Sequence, residues 1–125
     1  MKLLSSKTHT IIGLAVGAAL LVAPWLFMFA EVGGAAVTVP LVIGVFIILN
    51  ELITTSPASP LKLVPMKVHI MLDVLTGLVL AASPWLFGFA DEPANAWVPH
   101  LVVGLMVVGY ALVTRTDDAT EPTVG

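Results

Sequence analysis

Five polar side chains near the ends of long apolar stretches are of types that move protons or hold cations: His9, Asn50, Glu51, His69 and Asp73. Asp73 follows His69 by one helical turn, so the two can pair directly. It also lies in the first turns of its segment, where a helix dipole favours negative charge. Ionisable groups at membrane depth are costly to keep and point to function by default. The chemistry on offer is a proton relay, or a cation held by imidazole and carboxylate. A second reading stays open: all five lie in the hydrated headgroup zone, with Lys7 and Lys67 at hand to pair with the acids. A metal is the less favoured occupant, because no tight spacing such as His-x-x-x-His occurs. The expected site is therefore a proton or ion site of His9, Glu51, His69 and Asp73, with no metal and no cofactor. His100 stands alone near the opposite interface and reads as an interfacial polar residue.

Two further motifs need positioning. Ala23-Pro24-Trp25 and Ser83-Pro84-Trp85 each put a proline late in a helix. Proline removes one backbone hydrogen bond and kinks the helix, and Ser83 can compensate by bonding an upstream carbonyl. Trp25 and Trp85 follow at interfacial depth, where indole keeps its N–H wet, and Trp97 begins a later segment at that level. A kinked end with an aromatic anchor is favoured over a notch for a lipid or quinone-like ligand. His9, Gly13, Gly17 and Pro24 share one helix face, and His69, Asp73, Gly77 and Pro84 repeat it. Small residues allow close approach, so Gly13, Gly17, Gly77, Gly44 and Gly104 are helix-packing positions. The first face is expected to pack segment one on segment three, with a homodimer surface as the alternative.

The elements that must carry these residues are transmembrane helices. Of 125 residues, 58% are hydrophobic and 10% charged, too little charge to cover a soluble surface. Mean hydropathy is +1.05. Four apolar segments, at about 8–30, 35–54, 68–90 and 97–113, each fit the roughly 17–25 residues that span a bilayer as helix. They are continuously apolar, without the alternation of a strand or the polar face of a soluble helix. Lys2 and Lys7 before segment one resemble a signal peptide, but Pro24 sits where cleavage would fall. The five Lys and Arg residues all lie before segment one, between segments two and three, or after segment four. They predict both termini on the cytoplasmic side of the cell membrane. Residues 1–7 form a cytoplasmic N-terminus. The linker 55–67, with Pro57, Pro60 and Pro65, is expected to run extended along that surface. The tail 114–125 is expected to be disordered. The net charge of −3 and the absence of a basic stripe exclude nucleic acid. The absence of cysteine excludes disulfides and dithiol redox chemistry.

The segments form a tandem repeat. Residues 23–30 align with 83–90, Lys7 and His9 with Lys67 and His69, and Leu41-Val42-Ile43-Gly44 with Leu101-Val102-Val103-Gly104. Aligning Val39-Pro40 with Val98-Pro99 calls for a one-residue insertion near His100. Two helices per copy make both copies enter the membrane in the same direction, related by a pseudo-two-fold axis along the membrane normal. A Ser-Pro-Trp late in the first helix of a two-helix repeat resembles the SPW-repeat family of small membrane proteins, over about His9 to Val113. Ala23 in place of serine and Gly13 in place of Asp73's acid are departures. The resemblance implies the architecture and leaves the activity open. Size, repeat and glycine faces favour a structural or accessory membrane protein, associating with itself or with a larger complex in the bilayer. A small oligomeric transporter or ion-conducting protein is the alternative. The chain shows no catalytic constellation and is expected not to be an enzyme.

Overall fold

A computed structural model describes residues 3–117. The chain is all-helical: α1 Ser6–Leu26, a 3-10 turn Ala30–Val32, α2 Gly34–Ile53, α3 Met66–Leu86 and α4 Ala94–Leu112. The four helices have 21, 20, 21 and 19 residues and are long and apolar enough to cross a membrane. Exposed Phe46, Leu49, Met71, Leu75 and Leu105 form the apolar exterior that lipid would cover.

Helix boundaries follow local chemistry. Ser5 caps α1 by accepting from the Thr8 amide at 3.1 Å. The first and third helices stop at Leu26 and Leu86, earlier than the expected ends at 30 and 90. Pro24 and Pro84 thus stand in the last turn and start no mid-helix kink. Each is the anchor of a left-handed cap. Met28 and Gly88 have φ of 58° and 76°, and the amides of Phe29 and Phe89 donate back to the carbonyls of Pro24 and Pro84 at 2.7 and 2.8 Å. The cap turns Phe29 and Phe89 inward, where both are buried. Pro84 has no N–H for the Leu80 carbonyl, and Ser83 Oγ donates to that carbonyl instead, at 2.6 Å.

Packing is closest within each hairpin, α1 on α2 and α3 on α4. Glycines make it so. A Cβ on Gly44 would lie 2.9 Å from the Gly17 carbonyl oxygen, and one on Gly77 would lie 2.7 Å from that of Gly104. The expected packing of segment one on segment three through Gly17 is replaced by this contact between sequential helices, which short turns already hold side by side. Val16, Leu20, Ile47, Leu80 and Val107 then meet in a central core drawn from all four helices.

Burial keeps constant step along the chain. Ala36 and Ala96, Pro40 and His100, Gly44 and Gly104, Ile47 and Val107 are buried in register, at the spacing that separates His9 from His69. The insertion expected near His100 is therefore absent. Pro40 corresponds to His100, and Pro99 is shifted by one position.

The linker does not run extended. It folds back on the end of α2, with the amides of Leu61 and Leu63 donating to Leu52 and Ile53 at 3.0 and 2.7 Å and Ser59 Oγ donating to Leu52 at 2.7 Å. These donors satisfy carbonyls that a helix end leaves free. Lys62 Nζ donates to the linker carbonyls of Ser56 and Ser59. The tail expected to be disordered from 114 begins with a buried Thr114 that bridges Leu4. Its remainder from 118 lies outside the described residues, as does Lys2.

Candidate functional site

At the end of the bundle that carries the linker, α1 supplies His9, α2 supplies Glu51, and α3 supplies His69 and Asp73. All four side chains are buried, His9, Glu51 and His69 to 0% exposure and Asp73 to 2%. The second reading, that they sit hydrated among headgroups, does not match this burial. His9 and His69 stand in the first turn of α1 and α3 and Glu51 in the last turn of α2, and Thr54 at the start of the linker bonds His69. Asn50 is buried beside them but stands outside the group, and its Nδ2 has no hydrogen bond.

The four converge on one point. His9 Nε2 lies 3.1 Å from His69 Nε2 and 2.7 Å from Asp73 Oδ2. His69 Nε2 lies 3.0 Å from Asp73 Oδ2 and 3.0 Å from Glu51 Oε1. His9 Nε2 lies 3.5 Å from Glu51 Oε1. One donor atom from each side chain falls within 4.8 Å of all the others. Gly13 is what admits Glu51, since a Cβ there would overlap its carboxylate.

The other imidazole nitrogens set the tautomers. His69 Nδ1 is 2.7 Å from Thr54 Oγ1, and His9 Nδ1 is 2.8 Å from Thr114 Oγ1. Each threonine hydroxyl donates its single proton to a backbone carbonyl one turn back, Thr54 to Asn50 at 2.5 Å and Thr114 to Tyr110 at 2.6 Å. Both hydroxyls can therefore only accept from the rings. Each histidine must donate from Nδ1, which leaves Nε2 as the atom facing the carboxylates. Tyr110 packs edge-on to the His9 ring at 5.0 Å.

The line Thr114–His9–Asp73 has the order hydroxyl, imidazole, carboxylate of a nucleophilic triad. Its hydroxyl proton is committed to the backbone, and Thr114 is buried, so no substrate carbonyl reaches it. What the group can do is share protons or hold a cation among two nitrogens and two carboxylate oxygens.

The opposite end has its own polar contact. His100 is buried at 2% exposure, contrary to its reading as an interfacial residue. Its ring lies between those of Phe29 and Phe89, at 5.4 and 4.7 Å. Nε2 donates to the Ala36 carbonyl at 3.0 Å. That carbonyl is the one Pro40 cannot serve, because proline has no N–H. Asn95 Nδ2 likewise donates to the carbonyls of Phe27 and Met28, at 2.8 and 3.1 Å.

Ser83-Pro84-Trp85 and Ala23-Pro24-Trp25 lie at this same turn end, far from the histidine–carboxylate group. Residues 7–114 match the SPW repeat domain. The chain belongs to the SPW repeat family. No curated protein and no solved structure is similar to it. In this SPW-repeat protein the prolines are buried while Trp25 and Trp85 are exposed, with Trp85 set edge-on to Trp97 at 5.8 Å. The motif thus builds a helix end and an aromatic rim. The apolar cavity beside Ala23 and His100 holds about 110 Å³, well under the roughly 300–1,000 Å³ of ordinary ligand pockets.

Thr54, Thr114 and the roles of Gly13 and His100 escape sequence reasoning. Thr54 and Thr114 recur at the spacing of His9 and His69, and that coincidence is the signal that could have found them.

Proposed function

We propose that the protein is a structural or accessory component of the cell membrane, acting through helix association with itself or with a larger membrane complex, and not an enzyme. Its histidine–carboxylate group serves as a clasp between two copies of one hairpin, related by a pseudo-two-fold axis along the membrane normal. The observation that carries this reading is the exchange of partners between hairpins. His9 of the first bonds Thr114 of the second, and His69 of the second bonds Thr54 of the first. The two bridges Leu4–Thr114 and Thr54–Val64 support the same symmetry. The distribution of Lys7, Lys62, Lys67 and Arg115 supports both termini being cytoplasmic. Fluorescent-protein fusions at the C-terminus should fluoresce and fusions between Gly33 and Gly34 should not. The reverse pattern would invert the orientation.

Native mass spectrometry of the protein, gently extracted from its own membranes, tests the role. A defined homo-oligomer or a stoichiometric protein partner is expected. A lone monomer would overturn the reading. A small oligomeric ion- or proton-conducting protein is the second reading, favoured by the burial of four ionisable side chains between helices long and apolar enough to cross a membrane. It requires that Glu51→Gln or Asp73→Asn abolish flux in proteoliposomes while the protein stays folded. Flux retained in both variants would rule it out.

A further inference from the structure

We propose that His9, Glu51, His69 and Asp73 bind one divalent first-row transition-metal ion of the Zn²⁺ type, in a four-coordinate shell of two imidazole nitrogens and two carboxylate oxygens. The inference deepens the clasp reading and rests on it for its role, because the ligands come from both hairpins.

Three observations carry it. The first is tautomer and aim. Both histidines donate from Nδ1 to a threonine, so in the neutral rings both Nε2 lone pairs turn to a common centre, 3.1 Å apart. Asp73 Oδ2 and Glu51 Oε1 turn to the same centre, where one cation meets all four atoms. The second is Glu51. It is completely buried, its Oε2 has no hydrogen bond, and its Oε1 meets only the imidazoles of the centre, 3.0 Å from His69 Nε2 and 3.5 Å from His9 Nε2. A buried carboxylate aimed at a centre with one oxygen unserved is placed to serve as a ligand. The third is size. Ligands about 2.0–2.2 Å from a tetrahedral ion stand about 3.3–3.6 Å apart. Five of the six separations are 3.1, 2.7, 3.0, 3.0 and 3.5 Å, a shell that reaches tetrahedral spacing with small outward shifts.

Charge agrees. Two carboxylates, two neutral imidazoles and one dication sum to zero, which suits a site buried inside the protein. Calcium would want six to eight oxygen ligands, and magnesium would want several waters. Neither suits two nitrogens and two oxygens out of reach of solvent. Mixed imidazole and carboxylate ligation suits the zinc-like ions. Thr54 and Thr114 supply the outer hydrogen bonds that orient metal-bound imidazoles. With four protein ligands and no open position, the site is structural.

The test uses the full chain without a histidine tag, expressed with Zn²⁺ and purified in mild detergent. Elemental analysis should find about one Zn²⁺ per chain after dialysis against a weak chelator. Expression with Co²⁺ should give the intense visible bands of a tetrahedral nitrogen–oxygen site. Thr54→Val should lower affinity about 10–100-fold, and Glu51→Gln and Asp73→Asn should lower it further. Should a variant fail to fold, the wild-type Co²⁺ spectrum decides alone. Wild-type protein that retains neither ion, a six-coordinate Co²⁺ spectrum, or undiminished binding in folded Glu51→Gln would each overturn the proposal. Nicking the chain at a protease site placed beside exposed Leu63 separates this inference from the clasp. Wild-type halves that carry no metal and stay together, while Glu51→Gln/Asp73→Asn halves separate, refute the metal and keep the clasp. Metal-loaded halves that part on nicking keep the metal and refute the clasp.

Discussion

His100 and Pro40 illustrate how a single residue's deficit is met by another helix. Pro40 leaves the Ala36 carbonyl without its usual donor, and His100 reaches across to supply one. Replacing His100 by Phe keeps the aromatic packing with Phe29 and Phe89 but strands that carbonyl. A stability loss of about 1–3 kcal/mol is expected, read as a lower midpoint in denaturing-detergent titration, and an unchanged midpoint would refute the account. Met28 is the converse case. It holds φ of 58°, a left-handed conformation that costs a side-chain-bearing residue about 1–2 kcal/mol. Gly88 occupies the corresponding cap of α3 at no such cost. Met28→Gly should therefore raise the same midpoint by about 1 kcal/mol or somewhat less, whereas a drop would show that Met28 makes a contact that outweighs its strain.

Among the elements, each hairpin is set by how closely its two helices approach. A Cβ at Gly104 would overlap the backbone of Ala81, while one at Gly109 on the same helix meets nothing within 4 Å. Gly104→Ala should destabilise by about 1–3 kcal/mol, the usual range for overpacking, and Gly109→Ala should be tolerated without loss. Thermal unfolding of the two variants in one detergent gives the comparison, and equal effects would contradict the assigned packing. The helix ends follow the same local logic. The proline–tryptophan segments end in a left-handed cap that sends a phenylalanine back into the core, so the motif shapes both the turn and the packing beneath it.

For the molecule as a whole, the two hairpins are joined at both ends by polar contacts and along the middle by aliphatic side chains. The His100–Ala36 and Asn95–Phe27 bonds close the turn end. The histidine–carboxylate group closes the linker end. Breaking the linker end alone should loosen the assembly without unfolding the hairpins, whose glycine contacts are internal. In the chain nicked beside Leu63, the wild-type halves should co-purify and the Glu51→Gln/Asp73→Asn halves should separate. Halves of the double variant that remain together through gel filtration would show that the apolar core suffices.

Hydropathy and length determine the four helices by themselves, because a helix in lipid must satisfy its backbone internally and needs a continuous apolar run to do so. The recurrence of His9 at His69 and of Gly44 at Gly104 is legible too, since equal residues at equal spacing need no structure to be seen. Helix ends were less legible: the Ser5 side-chain cap and the left-handed Met28 are local devices that periodicity does not carry. Residue type and depth marked His9, Glu51, His69 and Asp73 as candidates for one site, and tertiary structure decided their convergence and burial. Glu51 and Asp73 are 22 residues apart along the chain. Only the approach of α1, α2 and α3, with the room that Gly13 leaves, brings them onto the same pair of imidazoles. Burial, which turns hydrated groups into a centre that must balance its own charge, is a property of that packing and of no local segment.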